Sequence, residues 1–194
     1  AGLRREGAAG LPVGSSRIAI VDDAGTPLPA GEMGEVVIGG DCVALGYFGD
    51  PAATAAAFTP HGWKSGDVGY RDADGFLYVV DRKKDLIIAG GHNIQPLEVE
   101  NVLYRHPDVA VCAVVGLPDA VKGEVPVAVV VPRAGAAVDA AAILTFCRDH
   151  LAAYKVPRRV EFIDEMPVVA AKIRKRDLVA ALREDDLDRF RRGP

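Results

Sequence analysis

Two runs, "VAVCAVV" (Val109–Val115) and "VPVAVVV" (Val125–Val131), constrain the fold of this chain more than any other feature. Each is apolar at almost every position. A strand that alternates apolar and polar residues hides one face and wets the other, whereas a continuous apolar strand has to be covered on both faces. The nearby sequence supplies the cover. A helix is expected from Pro96 to Arg105, with Val99, Val102 and Leu103 on one face. Asp139 is placed to cap a second helix with a buried stripe of Ile143, Phe146, Cys147 and Leu151. "RRVEFID" reads as another strand and Lys175–Phe190 as a charged terminal helix.

The first eighty residues follow a different pattern. Arg17–Asp22 and Gly34–Gly40 are strand-like, and the Gly-, Pro- and Asp-rich segment between them has turn chemistry. Pro51–Phe58 reads as a short helix opened by proline. "DADGFLYVVD" is a turn leading into a strand; after Asp85 the pattern changes to alternating strands and helices, beginning with a strand at Leu86–Ala89. A β-rich segment thus gives way to mixed α and β near residue 82. At that join stand five consecutive charged residues, Asp81–Asp85, followed by Gly90-Gly91 and a polar turn. On composition alone such a cluster is the solvated end of a surface hairpin.

With 49% hydrophobic and 26% charged residues, the chain can bury a core. A net charge of −4 disfavours a general nucleic-acid or anionic-membrane surface. Cys42, Cys112 and Cys147 are widely spaced, with no C-x-x-C pair, which argues against zinc and disulfides and fits a reducing cytoplasm. No apolar stretch approaches the roughly 18 residues that span a bilayer.

Four stretches carry a resemblance: 34–58 ("GEVVIGGDCVALGYFGDPAATAAAF"), 62–100 ("GWKSGDVGYRDADGFLYVVDRKKDLIIAGGHNIQPLEVE"), 106–131 ("HPDVAVCAVVGLPDAVKGEVPVAVVV") and 154–178 ("YKVPRRVEFIDEMPVVAAKIRKRDL"). In order and spacing they resemble the adenylate-forming superfamily of acyl-CoA synthetases, peptide-synthetase adenylation domains and luciferases, and are most similar to the acyl-CoA synthetase branch. The resemblance implies the C-terminal third of such an enzyme, with the N-terminal phosphate-loop domain missing. The implied fold is α+β. Residues 1–83 would be the β-rich end of the large N-terminal domain. Residues 84–194 would be a mobile C-terminal lid with a hairpin and a mixed three-stranded sheet packed by helices. The implied substrates are ATP with Mg²⁺, a carboxylic acid, and coenzyme A or a carrier-protein pantetheine.

The resemblance also implies roles. Asp67, in "KSGDVGY", would hold the ribose hydroxyls of ATP or AMP, and Arg82 would approach the same ribose or the phosphate. Otherwise Asp67 is a turn residue, and Arg82 a surface partner of Asp81 or Asp85. Lys84 would be the hinge. Gly90 and Gly91 would line the pantetheine tunnel, where a backbone without Cβ admits a close approach. Lys172 would be catalytic, with Lys175 its competitor. Ala171 stands where the family has Gly, and Pro167 to Lys172 is one residue short of the family pattern. Tyr154 and Arg158 fall where relatives meet the CoA nucleotide, and Lys122 where many carry Trp. His92 replaces a common Glu and is assigned nothing, and Glu98 and Glu100 are read as acids favoured at a helix start. Two other readings remain open: an adenylation domain serving a carrier protein, and a non-catalytic interaction module.

Overall fold

The computed structural model describes residues 4–136 and 139–191, and the chain divides into two compact units, Ala1–Lys84 and Asp85–Pro194. The first contains strands β1 (Arg17–Val21) and β2 (Gly34–Gly39), helix α1 (Pro51–Ala57), and strands β3 (Phe58–Thr59), β4 (Gly62–Arg71) and β5 (Leu77–Arg82). All five strands pair antiparallel in the order β1-β2-β4-β3, with β5 on β4 as well. Strand β4 is not apparent from sequence, because "GWKSGDVGYR" interleaves glycine and charge where an alternating apolar pattern would signal a strand. Ile20, Val36 and Leu77 form the small core of this sheet. Helix α1 begins as expected: the Asp50 carboxylate accepts from the Ala53 N–H at 2.8 Å and Pro51 occupies its first turn.

The second unit contains β6 (Ile87–Ala89), β7 (His92–Ile94), α2 (Pro96–Leu103), β8 (Val109–Asp119), β9 (Gly123–Pro132), α3 (Ala140–His150), β10 (Arg159–Phe162), β11 (Val168–Val169), β12 (Lys172–Ile173) and α4 (Lys175–Glu184). The two apolar runs are β8 and β9, antiparallel along their length, and β10 pairs parallel to β9. The expected mixed three-stranded sheet is therefore present. The β6–β7 hairpin extends it to five strands through the pair Ala89 and Gly123.

Both sheet faces are covered, as the continuous apolar strands require. Cys112, Val114, Ala128 and Val130 point into a cluster with Val99, Leu103, Ile143 and Cys147 of α2 and α3. The alternate residues Ala113, Val115, Val127 and Val129 point the other way, onto Leu178, Ala181 and Leu182 of α4. Period-two alternation thus serves two cores instead of one core and water. Asp139 caps α3 by accepting from the Ala141 N–H at 3.1 Å.

The terminal helix is shorter than its charge pattern implies. It ends at Glu184, where Asp185 adopts a left-handed φ of 54°, and a 3₁₀ turn covers Leu187–Phe190. Buried Leu187 is reached by this change of direction, which a continued helix would carry off the sheet.

Candidate active site

In the first unit, antiparallel pairing of β4 with β5 sets Asp67 directly opposite Arg82. Arg82 Nε lies 3.0 Å from Asp67 Oδ1, the guanidinium side chain 52% exposed and the carboxylate 29%. Sequence alone offers Asp81 and Asp85 as partners for Arg82; its ion pair is instead with Asp67. Gly66, with φ +74°, turns the strand just before Asp67. The Asp67 N–H donates to buried Ser65 Oγ at 3.0 Å, so the serine hydroxyl is used to hold this segment. Neither side chain is buried. A partly exposed carboxylate with a guanidinium fork at its side is equipped to accept hydroxyl donors while the cation faces an anion.

The charge cluster has internal structure. Lys83 Nζ binds Asp23 Oδ1 and Glu35 Oε2, each at 2.9 Å. These bonds, that to Asp23 foremost, raise the Lys83 pKa above the ordinary lysine value, and Asp23 is lowered in return. Lys84, next in the same 3₁₀ turn, is exposed, and the division between the units falls immediately after it.

In the second unit, Gly90 and Gly91 form the two-residue turn between the paired residues Ala89 and His92. Their φ values, 58° and 81°, are the paired positive angles of a type I′ hairpin, so glycine is required by the turn itself. A Cβ at either position meets nothing within 4 Å, which leaves an open backbone edge. The Gly90 N–H donates to the Lys122 carbonyl at 2.8 Å. His92 stacks on Tyr154 with ring centroids 4.6 Å apart, and Lys155 approaches the same tyrosine while binding Glu98 at 2.6 Å. Arg158 contributes to holding the Asp119 carboxyl low, after the N–H donors of Lys122 and Val121 that are the main cause. Gly90, Gly91, Lys122, Tyr154 and Arg158 therefore belong to one edge of this unit, with His92 joining turn to tyrosine. Sequence reasoning gives His92 no part; the one signal it offers is adjacency to the glycines.

Lys172 sits apart from that edge's contacts, on the β11–β12 hairpin, exposed at its first β12 position. Four basic residues follow one another closely here. Arg174 and Arg176 pair with Asp177, and Lys175 with Glu100 Oε1 at 2.8 Å. Among the described residues, Lys172 has no carboxylate partner. Glu100 is more than a helix-start acid: 9% exposed, it also accepts the Val114 N–H at 2.8 Å. The turn before Lys172 consists of Ala170 and Ala171, with φ of 48° and 61°. Alanine thus occupies left-handed positions that favour glycine.

Among the described residues no three His, Cys, Asp or Glu side chains gather to hold a metal, and no helix is long and apolar enough to cross a membrane.

Comparison with known proteins bears on these groups. Residues 98–172 match the model of the AMP-binding enzyme C-terminal domain, and residues 2–48 that of the AMP-binding enzyme. The chain belongs to the AMP-binding enzyme family. This AMP-binding enzyme chain is 47% identical over 165 residues to a feruloyl-CoA synthase of Amycolatopsis, a match spanning 85% of the chain and 34% of the synthase. It superimposes on ATP-bound MatB from Rhodopseudomonas palustris with a TM-score of 0.89 and 34% identity, covering 95% of the chain and 37% of MatB. The o-succinylbenzoate CoA synthetase of Bacillus subtilis, solved with its acyl-adenylate OSB-AMP, gives a TM-score of 0.82 at 40% identity, covering 89% and 35%. The chain thus spans about a third of the length of the relatives it matches.

Proposed function

We propose that this chain is the C-terminal third of an AMP-forming acid–thiol ligase. In the first half-reaction a carboxylate oxygen attacks the α-phosphorus of ATP and the bond to pyrophosphate breaks, leaving an acyl-adenylate. In the second, a thiol of CoA or a carrier pantetheine attacks the acyl carbon, the bond to AMP breaks, and the thiol proton passes to solvent. Asp67 accepts the ribose hydroxyls, and Arg82 orients that carboxylate and faces the phosphate. The Lys172 ammonium stabilises the charge that develops at the α-phosphate. Mg²⁺ accompanies the triphosphate as a counter-ion.

Between the half-reactions the unit from residue 85 onward turns about Lys84. Lys83, held by Asp23 and Glu35, confines the swivel to the residue after it. Charged residues suit a pivot because they stay solvated in both orientations. In the second orientation the Gly90-Gly91 edge admits the pantetheine arm, and Tyr154 and Arg158 meet the CoA nucleotide.

The observation that carries the catalytic assignment is that Lys172, at the end of the family match, has no carboxylate partner among the described residues, beside three basic residues that are each committed to a carboxylate. In the intact ligase, Lys172→Ala is expected to depress acid-dependent ATP–pyrophosphate exchange on the order of 100-fold or more. Thioester formation from supplied acyl-adenylate should be largely spared. Equal loss in both steps rejects the role. The 194-residue chain by itself should show no exchange, and robust exchange rejects its place as one third of a ligase.

A further inference from the structure

We infer that Glu100 is the positioning residue for Lys172, acting through Lys175; this rests on the catalytic reading of Lys172. Glu100 lies in α2 and is buried at 9% exposure, and one oxygen, Oε1, takes both the Val114 N–H and the Lys175 ammonium at 2.8 Å. Lys175 is the first residue of α4. Three observations tie that helix start to the hairpin. Only Ile173 and Arg174 separate Lys175 from Lys172. The Arg174 N–H closes the hairpin by donating to the Pro167 carbonyl at 2.8 Å. Val168 and Val169 are 54% and 53% exposed, so the hairpin has little core of its own to fix it.

The Glu100 carboxylate therefore pins the base of an otherwise weakly anchored arm to β8 and α2. The two side chains are 22% and 11% exposed, and separating them would leave a largely buried carboxylate without its cation, so the pair resists movement of the start of α4. Misplacing a catalytic group by about 1 Å costs on the order of 100-fold in rate, so such a tether matters most to the step that uses the group.

The test uses Glu100→Gln and Lys175→Met, with Lys175→Arg as the conservative rescue. Should either single variant fold poorly, the double variant Glu100→Gln/Lys175→Met leaves no unpaired charge and is measured instead. In this chain, amide exchange at Arg174 is expected to accelerate about tenfold relative to β8 and β9 amides, and Lys175→Arg to restore it. In the intact ligase the adenylation rate should fall about ten- to a hundredfold relative to thioester formation from supplied adenylate. Wild-type exchange at Arg174 overturns the tether. Accelerated exchange with an unchanged ratio of the two steps, where Lys172→Ala does depress adenylation, overturns the positioning role alone. If Lys172→Ala leaves adenylation intact, the catalytic reading fails first and the positioning role falls with it.

Discussion

The turn that presents Lys172 is built from residues ill suited to it, and correcting them should slow its opening. Ala170 and Ala171 take φ of 48° and 61° in the two-residue turn between the paired residues Val169 and Lys172. Type I′ turns of this kind favour Asn-Gly. A residue with a Cβ held left-handed costs roughly 1–2 kcal/mol. Glycine avoids that cost but loses about 0.5–1 kcal/mol more entropy on ordering, so Ala171→Gly should gain about 0.5–1 kcal/mol net. The hairpin has two paired positions and half-exposed valines, so the gain acts on local opening and not on global unfolding. That corresponds to a roughly two- to fivefold slower exchange of the Arg174 amide, whose N–H donates to Pro167. Exchange measured by NMR should show this slowing at Arg174, while amides of β8 and β9 keep their rates. Ala170→Asn on top of it should add to the effect, since asparagine tolerates the left-handed region. Ala171→Val should do the opposite, because a β-branched residue is worse still at positive φ. An unchanged or faster Arg174 rate in Ala171→Gly refutes the reasoning that backbone strain sets the opening of this arm.

The buried thiols make a pH prediction. Burial pushes Cys112 up to about 12 and Cys147 to about 11 from an ordinary 9.0, with the Glu100 charge adding to the rise at Cys112. Below pH 9 folded and unfolded thiols are both protonated; between 9 and about 12 the unfolded chain releases protons the folded one retains, so stability falls as pH rises through that window. A urea midpoint that holds steady from about pH 8.5 to 11 contradicts this, and at about pH 8 a thiol reagent should label Cys42 well ahead of the other two. Leu178→Ala, at a fully buried position of α4, should cost about 2–5 kcal/mol in denaturant unfolding. A loss under about 1 kcal/mol argues that α4 is not essential cover. Asp67→Ala should change stability by less than about 1 kcal/mol, since its partner is exposed. On the proposed assignment, its loss from the longer enzyme should raise the KM for ATP roughly ten- to a hundredfold through lost charge-assisted bonds. A large fall in stability with an unaltered KM assigns Asp67 to the fold.

What is legible in the sequence follows from periodicity and from local turn chemistry. The two apolar runs announce strands covered on both faces, and Pro51 and Asp139 announce helix starts, because each signal needs only neighbouring residues. Strand β4 is hidden because Gly66 and Gly69 break its pattern. Gly66 is there for a turn, and at Gly69 a Cβ would stand only 2.4 Å from the Tyr78 carbonyl oxygen. The end of α4 is equally obscure, because its apolar stripe stops at Leu182 and the charged residues after it do not show where the helix leaves the core. Asp185 carries no glycine-like warning of its left-handed conformation.

The candidate site is legible as residue types and illegible as partnerships. Asp67 and Arg82 each stand out in the sequence, yet their direct pairing depends on a β4–β5 register that no local pattern encodes. Within the charged cluster, composition alone does not tell Lys83 from Lys84, and only the family resemblance singles out Lys84. The fold separates them by bringing Asp23, from the turn after β1, and Glu35, from β2, to one and not the other. The same logic separates Lys175 from Lys172. Glu100 lies 75 residues upstream of Lys175, and its reading as a helix-dipole acid is locally sound. Only the packing of α2 and α4 against β8 brings that carboxylate to the start of α4. A lysine with a buried partner is committed to structure and one without is available for chemistry, and the difference is a long-range contact. Chemical capacity is thus written in residue identity, while its assignment among similar neighbours is decided by tertiary pairing.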